Sequence, residues 1–349
     1  MNRISSTTRM QPESHPTIPS PAIVVLPISS QRLPGPPKNC VGYPPVLLPT
    51  ELRADEQLDW YIDHDGEESL ACSCICIRPL VDNITETTLT TSNTLTTSNT
   101  WKDWEIDSTK SVIIICHGFM SWRNQMLLIH LAAGLSKQLD CHTLRFDFAG
   151  NGHSSGMWRY GNYAQEVQDL RRVIDFVRRE LKCHVQGVVG HSKATFAVLQ
   201  TAWQQEAFQQ EQVTIPKFCI LSGRFSLPGD NPMIVKLLTT DQCKEFKEYG
   251  KVTINTRGDR TFDIVQDDME ERKKLDTRPC QNIKCSTVLI IHGDNDTTVD
   301  VSNAYKFAKW IPNNELHIVK DADHSFNGLR HMKELVNVIA TFMSRYETE

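Results

Sequence analysis

From Ser111 onward the chain alternates short apolar runs with amphipathic helical stretches, and this alternation constrains the fold more than any other feature. Ser111–Cys116 is rich in Val and Ile and bounded by polar residues, the pattern of a strand buried on both faces. Met126–Leu139 reads as a helix and Thr143–Phe146 as a strand. Val167, Leu170, Ile174, Val177 and Leu181 then recur at spacings of three and four, giving an amphipathic helix over Tyr163–Leu181. Val185–Val189 is a strand, followed by a helix to about residue 207. Lys217–Leu221, Thr287–Ile291 and Leu316–Val319 are further strands, and Val301–Trp310 and His331–Arg345 are helices. Leu58–Ile62 and Ala71–Ile77 read as opening strands. Strands alternating with helices predict an α/β fold with a mainly parallel sheet covered by helices on both faces. Residues 225–284 break the rhythm with charged, weakly periodic segments (Lys244–Lys251, Asp267–Leu275), and are placed to form a small cap over a site at the sheet edge.

The main domain is thus expected over 51–349. Residues 1–50 hold 11 of the 17 prolines, which exclude helix and central strand and leave a disordered, polyproline-leaning tail. With four Lys/Arg against one Glu and many Ser and Thr, the tail resembles an organelle transit peptide in composition, although its prolines oppose the amphipathic helix such peptides form. No repeated P-x-x-P ligand with flanking arginines stands out for an adaptor domain. Leu89–Thr100 is LTTSNT written twice, a low-complexity surface insertion within 82–106.

Composition narrows the function classes. The 37 Lys+Arg against 42 Asp+Glu, with no basic run, argue against a nucleic-acid partner. The longest apolar runs, such as Ala22–Leu26 and Val112–Cys116, are far short of the ~18 residues a membrane helix needs. The 11 cysteines are odd in number and lie largely in core strands, as expected of small buried hydrophobes in a reducing, cytoplasmic compartment. Cys72, Cys74 and Cys76 alternate on one strand face, but no second ligand pair with zinc-type spacing accompanies them, so no metal is expected.

The sharpest local feature is Gly190-His191-Ser192-Lys193-Ala194, between a strand and a helix. A serine on that turn is thrust out at the carboxyl edge of the sheet, and small neighbours are required because strand and helix cross closely there. The second glycine of the G-x-S-x-G pattern is replaced by Ala194, which adds one methyl group. Serine needs a base to take its proton, and the base needs an orienting carboxylate. On this kind of turn the acid and then the histidine follow the serine along the chain. Downstream, the strand Thr287–Ile291 runs into His292-Gly293-Asp294-Asn295-Asp296, and Leu316–Val319 runs into Asp321-Ala322-Asp323-His324. Both turns leave the carboxyl ends of parallel strands, where such folds gather ligands. Asp296 is assigned as the acid and His324 as the base. Asp294 and Asp300 compete as acids, against an ordinary role for both, and for Asp323, in turns and helix caps. The amides of Phe119, in the His117-Gly118-Phe119 loop, and of Lys193 are the expected oxyanion donors. His117 is read as a prop of that loop. Trp122, Trp158 and Tyr160 are candidate pocket walls, although aromatics more often simply fill cores. The loop 147–153 has glycines but lacks the spacing and the Lys-Ser/Thr of a phosphate loop.

From about Val112 to the C-terminus the chain resembles the α/β-hydrolase superfamily, in its serine aminopeptidase-like, monoglyceride-lipase-like and esterase-like branch. The resemblance rests on CHGF at 116–119, RFDFAGNGHSSG at 145–156, GNY at 161–163, DLRRVIDF at 169–176 and VVGHSKA at 188–194. It continues in LSGRF at 221–225, LIIHGDNDTTV at 289–299, AYKFAKWIPNNELHIV at 304–319 and DADHSF at 321–326. Relatives usually read G-H-S-K-G-G where this chain has Ala194 and Thr195. The resemblance implies the α/β-hydrolase fold, Ser192, Asp296 and His324 as a catalytic triad, and Phe119 and Lys193 as oxyanion donors. It implies a serine hydrolase acting on a small-molecule ester or other acyl substrate with no cofactor. A peptidase or thioesterase on the same triad, or a non-catalytic binding protein on this scaffold, are the alternatives. Dehalogenases and epoxide hydrolases place Asp where Ser192 stands.

Overall fold

The structure is a computed structural model and describes residues 57–62, 70–75, 106–208, 214–226, 238–256 and 260–345. The proline-rich tail, the LTTSNT duplication and Cys76 lie outside the described residues.

The strands are β1 (Gln57–Ile62), β2 (Leu70–Ile75), β3 (Val112–Cys116), β4 (His142–Phe146), β5 (Val185–His191), β6 (Lys217–Leu221), β7 (Lys251–Thr256), β8 (Arg260–Val265), β9 (Thr287–Gly293) and β10 (Asn314–Val319). The helices are α1 (Met126–Leu139), α2 (Tyr163–Arg179), α3 (Thr195–Phe208), α4 (Thr240–Tyr249), α5 (Gln266–Lys273), α6 (Ser302–Trp310) and α7 (Leu329–Ser344). Among the described residues, eight strands form one sheet in the order β1-β2-β4-β3-β5-β6-β9-β10. β1 and β2 pair antiparallel, as do β2 and β4; every pairing from β4 to β10 is parallel. This is the mainly parallel α/β sheet expected from the alternation of apolar runs and helices, and the arrangement implied by the resemblance to α/β-hydrolases.

The residues of β3 show why the strand is buried on both sides. Val112, Ile114 and Cys116 point into a core shared with α2, α3 and α6, whereas Ile113 and Ile115 point into the core beneath α1 and α7. All five are at most 1% exposed. Burial of each Val or Ile stabilises the fold by about 1.5–3 kcal/mol, which is why an unbroken apolar run rather than an alternating one marks the strand. Cys72 and Cys74 of β2 are buried in the first of these cores and act there as small hydrophobes.

After β3 the chain runs through α1 to β4 on one side and then returns through α2 to β5 on the other. The strand order therefore reverses between β3 and β5, and a crevice opens at their carboxyl ends, where ligands of such sheets bind. The excursion after β6 contains a helix, a two-stranded antiparallel hairpin of β7 and β8, and the helix α5. Val252, Ile254, Phe262, Ile264 and Met269 form a separate small core that also receives Tyr160. The hairpin was not expected from the sequence. The end of the excursion also departs from the expectation of a cap through residue 284: Cys280 and Ile283 are buried in the main core under the sheet.

Candidate functional site

β5 ends at His191, and Ser192–Ala194 make a single 3-10 turn before α3 begins. Ser192 has φ 54°, in the left-handed region that a residue with a Cβ rarely adopts. Such strain persists only where the surroundings enforce it. A Cβ at Gly190 would lie 2.5 Å from Cγ2 of Val198 on α3, so strand and helix tolerate nothing larger there. Ala194, at the position where a glycine was expected, is fully buried with its methyl group inside the core between sheet and helices. At Gly118 a Cβ would come within 3.1 Å of Ser192 Cβ and 3.2 Å of the His191 carbonyl, so the loop after β3 presses directly on the serine turn.

The turns after β9 and β10 bring a histidine and a carboxylate to the same point. His324 Nε2 is 2.9 Å from Ser192 Oγ, and His324 Nδ1 is 2.7 Å from Asp296 Oδ2. A carboxylate only accepts, so Nδ1 carries the ring proton and Nε2 is left to accept from the serine hydroxyl. Asp296 is buried. Its Oδ1 accepts the backbone N–H groups of Thr298 and Val299, both at 2.8 Å, and Oδ2 also faces His292 Nε2 at 3.1 Å. Burial alone would raise the pKa of this carboxyl, but hydrogen bonds from His292 and His324 outweigh it and hold the group below the usual carboxylate range. The neighbouring acids do other work. Asp294 Oδ1 accepts the N–H of Asp321 at 2.6 Å and ties the two turns together; Asp300 caps the start of α6 through Ser302; Asp323 accepts from Ser325 and Asn327.

Two further histidines hold the frame. His191 donates from Nε2 to the His324 carbonyl at 2.9 Å, and burial lowers its pKa to about 3, so it is neutral at ordinary pH. His117 is buried, bonds to the Gly118 carbonyl at 2.8 Å through Nδ1, and accepts the Phe148 N–H at 3.1 Å through Nε2. It thus links the loop after β3 to the loop after β4. The latter is anchored by a buried ion pair of Asp147 with Arg123.

Ser192 and His324 open onto a cavity of about 210 Å³. Gly118, Phe119, Lys193 and Tyr160 are among its walls, as are Tyr163, Phe196, Arg224 and Arg272, which the sequence did not single out. The side chain of Lys193 turns to Glu166 at 2.5 Å in a pair buried at both ends. Trp122 and Trp158 do not line the cavity, contrary to the sequence-based expectation. Trp122 is 2% exposed and packs edge-on to His153, and Trp158 is wedged between Phe119 and Phe262 of the β7–β8 hairpin, with ring centroids 5.8 and 4.8 Å away. Their area is spent on packing, the commoner fate of a large aromatic.

The fold is similar to that of known esterases. Est1E from Butyrivibrio proteoclasticus, solved with ferulic acid bound, is 19% identical with a TM-score of 0.58, the match covering 81% of this chain and 97% of that one. The Pyrococcus furiosus esterase Pf2001 is 17% identical with a TM-score of 0.57, over 91% and 99% of the two chains. The mouse alpha/beta hydrolase domain-containing protein 10 is 17% identical with a TM-score of 0.54, over 82% and 98%. Among curated protein sequences there is no significant match. The family described as "Serine hydrolase (FSH1)" matches residues 132–328. That match runs through more than half of the chain and takes in every loop at the cavity except the one after β3, and the protein belongs to the FSH1 serine hydrolase family.

Proposed function

We propose that this hydrolase cleaves short-chain carboxylic esters through an acyl-enzyme on Ser192. The observation that carries the reading is the unbroken relay from Ser192 Oγ through His324 to Asp296, at 2.9 and 2.7 Å, with the serine held at positive φ. Ser192 Oγ attacks the ester carbonyl while His324 Nε2 takes its proton. Asp296 keeps the ring in the competent tautomer and stabilises the imidazolium that forms. The backbone N–H groups of Phe119 and Lys193 donate to the developing oxyanion. The imidazolium returns its proton to the leaving alcohol, and water, deprotonated by the same ring, releases the acid. Protein groups and water suffice for each step.

The cavity is smaller than the ~300–1,000 Å³ of pockets for drug-sized ligands, which favours a short acyl group over a long lipid chain. Among the described residues no helix is long and apolar enough to cross a membrane. The described cysteines are mostly buried, as small core hydrophobes are, which supports a reducing compartment such as the cytoplasm. A fluorophosphonate probe is expected to label Ser192 and to abolish turnover of p-nitrophenyl acetate, and Ser192→Ala to lose both labelling and turnover. A folded protein that stays unlabelled between pH 6 and 9, or a Ser192→Ala variant as active as wild type, would refute the reading.

A further inference from the structure

Ester cleavage by Ser192, His324 and Asp296 gives no role to several other polar groups on the wall of the same cavity. The hydroxyl of Tyr160, Nε of Arg272, Oγ1 of Thr195 and Nδ1 of His191 are all buried and have no hydrogen-bond partner among the described residues, although their residues line the cavity and are only 1%, 3%, 2% and 4% exposed. Buried polar atoms are nearly always paired, so four orphans around one cavity point to a ligand that pairs some of them.

The charge of the wall says what kind of ligand. The guanidinium of Arg272 lies 4.7 Å from the centroid of the Tyr160 ring and 5.3 Å from that of Tyr163, and its Nη1 donates to the Tyr163 hydroxyl. Among the described residues no carboxylate pairs with it. The acids nearby have partners of their own: Glu166 pairs through Oε1 with Lys193, leaving its buried Oε2 without a hydrogen-bond partner among the described residues, Asp268 binds Arg159 and the Tyr160 N–H, and Asp296 binds the two histidines. Arg224, a second guanidinium on the cavity wall, gives one N–H to the Thr298 carbonyl and likewise has no acid partner among the described residues. Arg272 thus packs on the Tyr160 ring, and Arg272, Arg224 and Tyr160 all line the same cavity. A guanidinium buried without a counter-ion is costly, and its planar fork matches a carboxylate. Phe119 and Phe196 add apolar wall to the same cavity.

We propose that the cavity selects esters bearing a free carboxylate a short alkyl chain away from the scissile carbonyl, the half-esters of short dicarboxylic acids, and that Arg272, Arg224 and the Tyr160 hydroxyl hold that carboxylate. This rests on the reading of Ser192 as an ester-cleaving nucleophile and adds the substrate class to it.

The test compares the monomethyl esters of succinic, glutaric and adipic acids with the corresponding dimethyl esters on the full-length protein at pH 7.5. The best half-ester is expected to exceed its diester in kcat/KM at least tenfold. Arg272→Gln should bring that ratio close to one, mainly through KM, while Arg272→Lys retains part of it. Circular dichroism and fluorophosphonate labelling of Ser192 show whether each variant is folded with a working nucleophile. Diesters turned over as well as half-esters, or a preference unchanged in two folded variants, Arg272→Gln and Arg224→Gln, would overturn the proposal and leave ester hydrolysis standing. Labelling without turnover of any of these esters would overturn it too. Absence of labelling would count against the nucleophile itself, and calorimetry with succinate, glutarate and adipate then decides the anion site: binding lost in Arg272→Gln upholds it, and no binding to the wild type overturns it.

Discussion

Replacing Asp296 by Asn removes one charge and almost no volume, and the geometry determines which way the amide must sit. Oδ1 holds two backbone N–H groups of the 296–299 turn, at 2.8 Å each. Turning the amide nitrogen toward them would leave both N–H groups without an acceptor, at about 1–3 kcal/mol apiece. The amide oxygen therefore stays on the turn and the NH2 group faces His324 Nδ1, 2.7 Å away, and His292 Nε2, 3.1 Å away. Donor then meets donor. His324 relieves the conflict by moving its proton to Nε2, the atom that has to accept from Ser192. The imidazolium of the transition state also loses its counter-charge. The same tautomer fault in a serine triad costs about 10⁴ in kcat, or about 5.5 kcal/mol at 1.36 kcal/mol per tenfold. The expected result for Asp296→Asn is thus a folded protein whose kcat on p-nitrophenyl acetate falls by about four orders of magnitude while KM stays within a few-fold of wild type, because Asp296 does not line the cavity. Asp294→Asn and Asp300→Asn, which alter a turn and a cap, should keep kcat within about threefold. An Asp296→Asn enzyme within tenfold of wild type, or an equal loss in Asp294→Asn, would refute the assignment of the acid.

The buried Lys193–Glu166 pair should behave as a coupled unit. Lys193→Met leaves Glu166 buried without its counter-charge and is expected to cost about 3–5 kcal/mol in urea unfolding, most of which Glu166→Leu restores in the double variant; losses that simply add would refute the coupling. Because the proposed catalytic contribution of Lys193 is its backbone N–H, the fraction that remains folded should keep most of its kcat. For Asp296 the sign of the acid dependence follows from its lowered pKa: the stabilisation is fully present above the ordinary aspartate value of 3.8 and is lost as pH falls through the lower folded value. The stability gap between wild type and Asp296→Asn should therefore hold from pH 6 to about pH 4 and narrow as pH falls below 3.8, and a gap that stays constant below 3.8 would contradict the pairing of this carboxylate.

What can be read from the sequence depends on how far apart the residues that decide a feature lie. The turn at Ser192 is specified within about ten residues. An apolar strand, small residues at Gly190 and Ala194 and a following helix are each visible in order, and the same holds for the turns that carry Asp296 and His324. The sheet is legible for a related reason, since strands such as β3 are buried on both faces and become unbroken apolar runs. The β7–β8 hairpin is harder. Val252 and Ile254, and Phe262 and Ile264, do alternate with polar residues, but the runs are short and sit in charged sequence, so the period of two does not stand out. Arg272 lies beyond any local rule. It stands in Gln266–Lys273, a helix of mostly charged residues where a solvated arginine is the ordinary outcome, and it is buried only because Tyr160 and Tyr163, a hundred residues earlier, close around it. Trp122 and Trp158 fail in the opposite sense, since nothing local distinguishes an aromatic that faces a ligand from one that faces Phe262 or His153. The segments that bring Ser192, Asp296 and His324 together are thus short and lie at strand ends, whereas the burial of Arg272 comes from contacts between α5 and residues far back along the chain. For this family fold the first can be reasoned from residue order and the second only from residues seen together in space.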